Sequence, residues 1–255
     1  MEEKNELSLK EKQSIILEIM KDIAKFCRAN NIPYTLSSGT LLGAVRHGGF
    51  IPWDDDADMF MLREDFDRFV NIYKSDKYHL LFNTRSDDEF FASGYAKVND
   101  PDTFIAESLT MTNHGVFVDI FPLDGVPDDA KERKEYMHKI MSLHNRIYHR
   151  QRKDLLSIIK SYRHPLDWWM NKMNETVHDP RYVNSPLVAH VVGTTNYRTV
   201  IDRDRFKSLV DIPFEGYNFL GFSDTDSYLS MVYGPDYMTP KKWSHNLKVY
   251  RKNEQ

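Results

Sequence analysis

Four aspartates crowd into five positions, Asp54-Asp55-Asp56-Ala57-Asp58, and run without a break into the apolar stretch Met59-Phe60-Met61-Leu62. Residues 57–62 read as a strand. Side chains alternate across a strand, so Asp54, Asp56 and Asp58 share one face if that geometry reaches back to residue 54. Three like charges facing one place are costly unless a cation neutralises them, and all-oxygen ligands suit Mg2+, Mn2+ or Ca2+ rather than zinc.

A second carboxylate follows from pattern alone. In Gly115-Val116-Phe117-Val118-Asp119-Ile120-Phe121 every neighbour of Asp119 is apolar. A carboxylate buried there must be paired or bound to metal; the readings are a group satisfied at a strand end or a ligand reaching the Asp54–Asp58 cluster from an adjacent strand. Upstream, Ser38-Gly39-Thr40 lies at a strand-to-helix turn, where a helix N-terminus and a glycine that permits close backbone approach suit a phosphate. Phosphate cradle, acids on a strand some sixteen residues later and a further acid on another strand make the layout of a metal-dependent site acting on a phosphate or pyrophosphate.

Composition sets the outer limits. A chain of 255 residues falls between one domain and two, and 41% hydrophobic with 28% charged residues is ordinary for a globular protein. Cys27 stands alone, which excludes an internal disulfide framework and a Cys-rich zinc site. No apolar run approaches the roughly 18 residues that cross a bilayer, and the first six residues are charged where a signal peptide turns apolar. The expectation is a soluble cytoplasmic protein. Net charge is −4, yet residues 131–164 hold ten Lys/Arg against three acids. A solvated helix face is the favoured reading of that stretch. Attraction to an anionic surface, a phosphate-bearing polymer or the inner leaflet of a membrane, is the alternative. No recognition motif accompanies the charge, so nucleic acid is not expected as a partner.

Periodicity outlines the rest. Ser8 and Glu11 form a capping-box pattern ahead of a helix over 9–30. A short strand over 34–38 precedes a helix over 41–47 that Gly48-Gly49 terminate. Phe66, Phe69, Val70 and Tyr73 mark a third helix, and strands are expected at 78–83, 94–98 and 115–121, the last ended by Pro122. Beyond it, Tyr136, Ile140, Leu143 and Ile147 give a long amphipathic helix, 155–178 reads as helical, and a helix through Tyr228–Val232 closes at Gly234-Pro235. The expected fold is α+β: a catalytic core over 1–125, and a mostly helical region over 126–255 packed on it.

The stretch Gly39-Thr40-Leu41-Leu42-Gly43-Ala44-Val45-Arg46-His47-Gly48-Gly49-Phe50-Ile51-Pro52-Trp53-Asp54-Asp55-Asp56-Ala57-Asp58 closely resembles the signature of the LicD family, which includes bacterial phosphocholine transferases and, more distantly, fukutin and fukutin-related protein. Phe117-Val118-Asp119-Ile120-Phe121-Pro122-Leu123-Asp124 and the C-terminal Tyr233-Gly234, Tyr237-Met238 and Pro240 fit the same resemblance. It implies a nucleotidyltransferase-like mixed sheet flanked by helices. It makes Asp56 and Asp58 metal ligands, Asp119 the third carboxylate and Asp54 a supporting ligand, with Mg2+ or Mn2+ as cofactor. Ser38, Gly39 and Thr40 fall at the phosphate turn. Lys97 matches the family's basic residue and would hold a donor phosphate, an exposed strand lysine being the alternative. Arg46 and His47 either contact phosphate or brace the loop. Gly48 departs from the many members that carry Lys there. The implied reaction moves a phospho-alcohol from a CDP-activated donor, CDP-choline foremost, to a hydroxyl of a glycan or lipid-linked oligosaccharide. Asp119 would position or deprotonate that hydroxyl. A choline donor needs an aromatic cage, for which Trp53, Tyr95, Tyr233 and Trp243 are candidates beside their ordinary role in packing.

Rivals come from other classes. Asp54-x-Asp56-x-Asp58 begins like a calcium-binding EF-hand loop with Asp65 at its twelfth position, but Met59 stands where the sharp turn demands glycine. Nucleotidyl transfer onto a small molecule keeps the fold and changes the reaction, and a non-catalytic glycan-binding protein would not need every acid intact. No P-loop, nucleophile elbow or zinc-protease motif is present.

Overall fold

The computed structural model describes residues 6–86, 90–105, 114–152, 156, 163–192, 200–241 and 248–252. The chain opens with α1 (Leu9–Asn30), β1 (Thr35–Leu36), α2 (Ser38–His47), β2 (Asp58–Leu62) and α3 (Arg63–Ile72). The capping box of α1 forms as expected, the Glu11 N–H donating to Ser8 Oγ and the Ser8 N–H to Glu11 Oε2. Ile16, Ile19, Met20 and Ile23 bury the facing stripe. Helix α2 begins at Ser38, three residues earlier than the apolar pattern suggests.

Next come β3 (His79–Leu81), β4 (Thr84–Arg85), β5 (Phe90–Phe91), β6 (Ala96–Asn99), β7 (Thr103–Ile105), β8 (Phe117–Gly125) and α4 (Ala130–Arg150). After them lie α5 (Leu166–Val177), β9 (Leu187–Ala189), β10 (Val200–Asp202), β11 (Leu209–Phe214), β12 (Tyr217–Phe222), α6 (Thr225–Tyr233) and β13 (Val249–Arg251). Helix α5 covers only part of the expected 155–178. It starts after Pro165, whose ring fits the head of a helix and breaks an interior, and residues 153–155 and 157–162 lie outside the described ones.

The central sheet runs β1-β2-β8-β6-β3, with β9 also on β8 and β10 on β9. Strands β2 and β8 are parallel and the other pairings are antiparallel. The sheet is therefore mixed, as expected, with helices packed on it. One strand is longer than expected: β8 does not stop at Pro122 but runs on to Gly125. The Asp119 N–H donates to Ala57 O on the β2 side, so by alternation residue 122 would point its missing N–H to the opposite edge. There β6 pairs only as far as Ile120 and β9 begins at Asp124. Pro122 thus sits in the gap between two partners, where no ladder bond is lost.

Two apolar clusters hold the structure. The larger spans α1, β2, β8 and the β11–β12 hairpin, with Phe60, Phe66, Phe214 and Phe222 among its fully buried side chains. The smaller lies between α4, α5 and β9, built on Ile140, Ile147, Met173 and Val192. The short strands after residue 186 are additions to the helical second half that periodicity did not show.

Candidate active site

Strand geometry delivers the acids. Along residues 54–58 burial alternates, with Asp54, Asp56 and Asp58 part-exposed and Asp55 and Ala57 buried. The expected shared face therefore does reach back to residue 54. Asp55 turns inward, where its Oδ2 meets the buried Lys12 Nζ at 3.3 Å. Register completes the cluster: Asp58 of β2 lies opposite Asp119 of β8, and Lys97 of β6 lies opposite Asp119 from the other side. Asp58, Asp119 and Lys97 thus form one row across three adjacent strands.

The turn before α2 packs against this row. The Asp58 N–H donates to Thr40 Oγ1 at 2.8 Å, and the Ser38 hydroxyl hydrogen-bonds the Asp58 carboxylate. Ser38 itself adopts φ 48°, a left-handed conformation that is unusual for a side-chain-bearing residue and collects at functional sites. A Cβ at Gly39 would stand 3.0 Å from Asp54 Oδ2, so a side chain there would push that carboxylate aside. Thr40 latches the helix to the strand, while Ser38 and Gly39 face the acids.

Charge crowding is severe. Burial, then Asp56, pushes Asp54 up to about 7. Burial, then Asp56 and Asp119, holds Asp58 well above the usual carboxylate range. Asp119 is raised chiefly by burial, against the pull of Lys97. A carboxyl whose pKa is higher folded than unfolded contributes stability that is lost as pH rises through the folded value. Asp54→Asn is therefore expected to raise Tm in chelator at pH 8 more than at pH 5. An effect of about 1 kcal/mol is about 2–4 °C in a chain of this size. Thermal scans at the two pH values check it, and an equal shift at both contradicts the crowding.

Lys97 is not the exposed strand lysine that one reading allowed. It is 5% exposed, its Nζ lies 2.6 Å from Asp119 Oδ1, and its ammonium sits 3.3 Å from the Phe117 ring centroid, with Phe91 and Tyr95 at 5.5 and 5.6 Å. Aromatic faces and one carboxylate hold this cation against the acid row. Tyr95, a candidate for a choline cage, instead walls in Lys97 and packs on Phe121 at 4.6 Å.

Trp53 and Tyr233 line a cavity of about 290 Å3 together with Arg46, Ile51, Tyr237 and Lys241. Burial and then Asp58, Asp54 and Asp56 raise the pKa of the Tyr233 hydroxyl, which therefore lies within electrostatic reach of the acids. Arg46 donates to Tyr237 O at 2.8 Å. It both lines the cavity and ties α2 to the C-terminal loop. His47 accepts from Arg46 Nε at 3.4 Å and is exposed beside it. Trp243 lies outside the described residues.

The sequence reading missed the hairpin that closes the signature loop. Glu215 and Gly216 turn it with φ 49° and 77°. The Glu215 N–H donates to Gly48 O, and Glu215 Oε1 accepts from the Phe50 N–H. Its signal is the two-residue Glu-Gly turn between apolar runs, weakened by Pro213.

Residues 31–170 match the family described as LicD/FKTN/FKRP, nucleotidyltransferase domain. The chain belongs to the LicD family. It is similar to the lipopolysaccharide cholinephosphotransferase LicD of Haemophilus influenzae, 36% identical over 144 residues, or 55% of this chain and 52% of that protein. It also resembles human ribitol 5-phosphate transferase FKRP, 40% identical over 53 residues covering 19% and 11% of the two chains. An uncharacterized protein of Rickettsia typhi is 48% identical over 65 residues, 25% of this chain and 21% of its own. This LicD-family chain spans about half the length of its Haemophilus relative. Among its described residues no helix is long and apolar enough to cross a membrane.

The fit to a divalent cation rests on the donor set. Asp54, Asp56, Asp58 and Asp119 lie within electrostatic reach of one another with no histidine or cysteine among them, and an all-oxygen set is the chemistry of a hard ion. Among the described residues no three acidic, histidine or cysteine side chains stand close enough together to hold an ion as they are placed, so binding would need the carboxylates to draw in. The row presents oxygens that burial leaves poorly solvated and mutually repelling, a state that an added positive charge relieves.

Proposed function

We propose that this LicD-family protein transfers a phospho-alcohol group from a CDP-activated donor to a glycan hydroxyl. The observation that carries the reading is the row of Asp58, Asp119 and Lys97 in register, with Asp54 and Asp56 beside it. Asp56 and Asp58 would hold Mg2+ or Mn2+, with Asp54 supporting them, and a divalent ion there supplies neutralisation of pyrophosphate charge.

The remaining work falls to this chain's own groups. Ser38 and the Gly39 backbone offer close approach at the head of α2, where N–H groups favour phosphate oxygens. Lys97 compensates charge from behind Asp119 and fixes its orientation through the 2.6 Å contact. Asp119, raised by burial, accepts the proton of an acceptor hydroxyl and orients its oxygen toward the donor phosphorus. The cavity at Trp53, Tyr233 and Tyr237 gives aromatic faces for the donor, and Arg46 and Lys241 supply positive charge to its phosphates.

The names of the relatives support the kind of group transferred. One is named for phosphocholine transfer to lipopolysaccharide and another for ribitol 5-phosphate transfer. The test is incubation with CDP-choline, CDP-ribitol and CDP-glycerol in Mg2+, scoring CMP release and the rise in Tm that a bound ligand gives. CMP release that stops with EDTA and returns with Mg2+ is the expected result. Pyrophosphate release from a nucleoside triphosphate, without CMP from any CDP-alcohol, would replace this reading with nucleotidyl transfer.

A further inference from the structure

The basic stretch of the second half gains a location from the way α4 and α5 pack. Tyr136 of α4 donates to Thr176 O of α5 at 2.7 Å, and ten residues along α4 the Arg146 guanidinium lies 5.5 Å from the Trp169 ring. The two helices therefore run antiparallel, and the end of α4 and the start of α5 form one tip. The described residues at that tip include Arg146, Arg150, Arg152 and Arg163, in a chain of net charge −4.

A solvated helix face explains the cations but not what accompanies them. Leu156 is 70% exposed, Tyr148 43% and Trp168 41%. These are three of the seven large apolar side chains left exposed among the described residues, and all three belong to this tip. Trp168 is held in place by stacking on His164 at 3.8 Å and by an edge contact with Trp169 at 4.6 Å. Cations beside exposed Trp, Tyr and Leu match a bilayer interface, where amphipathic rings sit at headgroup level and Lys/Arg meet anionic lipid.

We propose that the α4–α5 tip is a membrane-docking surface that seats the protein on an anionic bilayer. The inference is independent of the transfer chemistry, because its surface shares no residue with the acid row. Apolar side chains supply partition into the interface, and the arginines supply selectivity for anionic headgroups.

The test is co-sedimentation of the full chain with vesicles of phosphatidylcholine alone and with about 30% phosphatidylglycerol, at low and high salt. Binding about tenfold or more stronger to the anionic vesicles, and weakened by salt, is expected. Leu156→Ser with Trp168→Ser, and separately Arg146→Glu with Arg163→Glu, should each lower it about tenfold with an unchanged thermal transition. Should Arg146→Glu disturb Trp169, Arg163→Glu alone reads the same contribution in the same direction. Equal binding to both vesicle types overturns the proposal. So does an apolar variant that binds like the parent, or a preference for single-stranded RNA over anionic vesicles, either of which would make the tip a general polyanion surface.

Discussion

Asp58→Asn is expected to lower CMP release from the preferred CDP-alcohol by about 10²–10³-fold, the scale on which removing one preorganised charge-handling group slows a reaction. The thermal transition without metal should stay in place or rise. Both parts follow from one feature. Asp58 lies in register with Asp119, and burial, Asp56 and Asp119 raise its pKa. The carboxylate is thus a burden on the fold, and an isosteric amide keeps the contact with Ser38 while removing the charge. Turnover within threefold of the parent would take Asp58 out of the reaction.

Asp124→Asn should act on stability instead. Asp124 is fully buried and accepts from Arg63 Nε at 2.6 Å and from Nη2 at 3.1 Å. Arg63 is itself 4% exposed. Breaking such a fork leaves a guanidinium charge in the interior with the longer contact to Asp67 beside it, a cost of about 3–5 kcal/mol. For a chain of this length that is a fall in Tm of roughly 10 °C. Adding Arg63→Met should recover much of the loss, because the uncompensated charge disappears with it. Activity below the transition should persist, since the pair anchors the far end of β2 and β8 and not the acid row. A single variant with Tm within about 2 °C of the parent would show that the pair holds little.

Much of this was legible where the signal was local. The capping box at Ser8, the periodic helices and the alternation through Asp54, Asp56 and Asp58 each depend on neighbours in sequence, and each is found in the structure. Partner choice was not local. Nothing beside Lys97 in sequence shows that β6 will lie against β8, so its ion pair with Asp119 emerges only from register. Pro122 looked like a strand end because a proline costs a ladder bond, and whether the bond exists depends on where β6 and β9 stop. The Arg63–Asp124 fork joins residues 61 apart, and the Glu215 clamp on the signature loop crosses still more of the chain. The apolar run around Asp119 marked it in the sequence, and the fold supplied its partners across the strands.

Titration of Mn2+ into the protein, read as loss of the free-ion paramagnetic resonance signal, tests the central claim most directly. The parent is predicted to remove free Mn2+ stoichiometrically, and more tightly when CDP-choline or another accepted CDP-alcohol is present, whereas the Asp56→Asn/Asp58→Asn protein, folded by its thermal transition, removes none. Superimposable titrations of the two proteins would contradict the account.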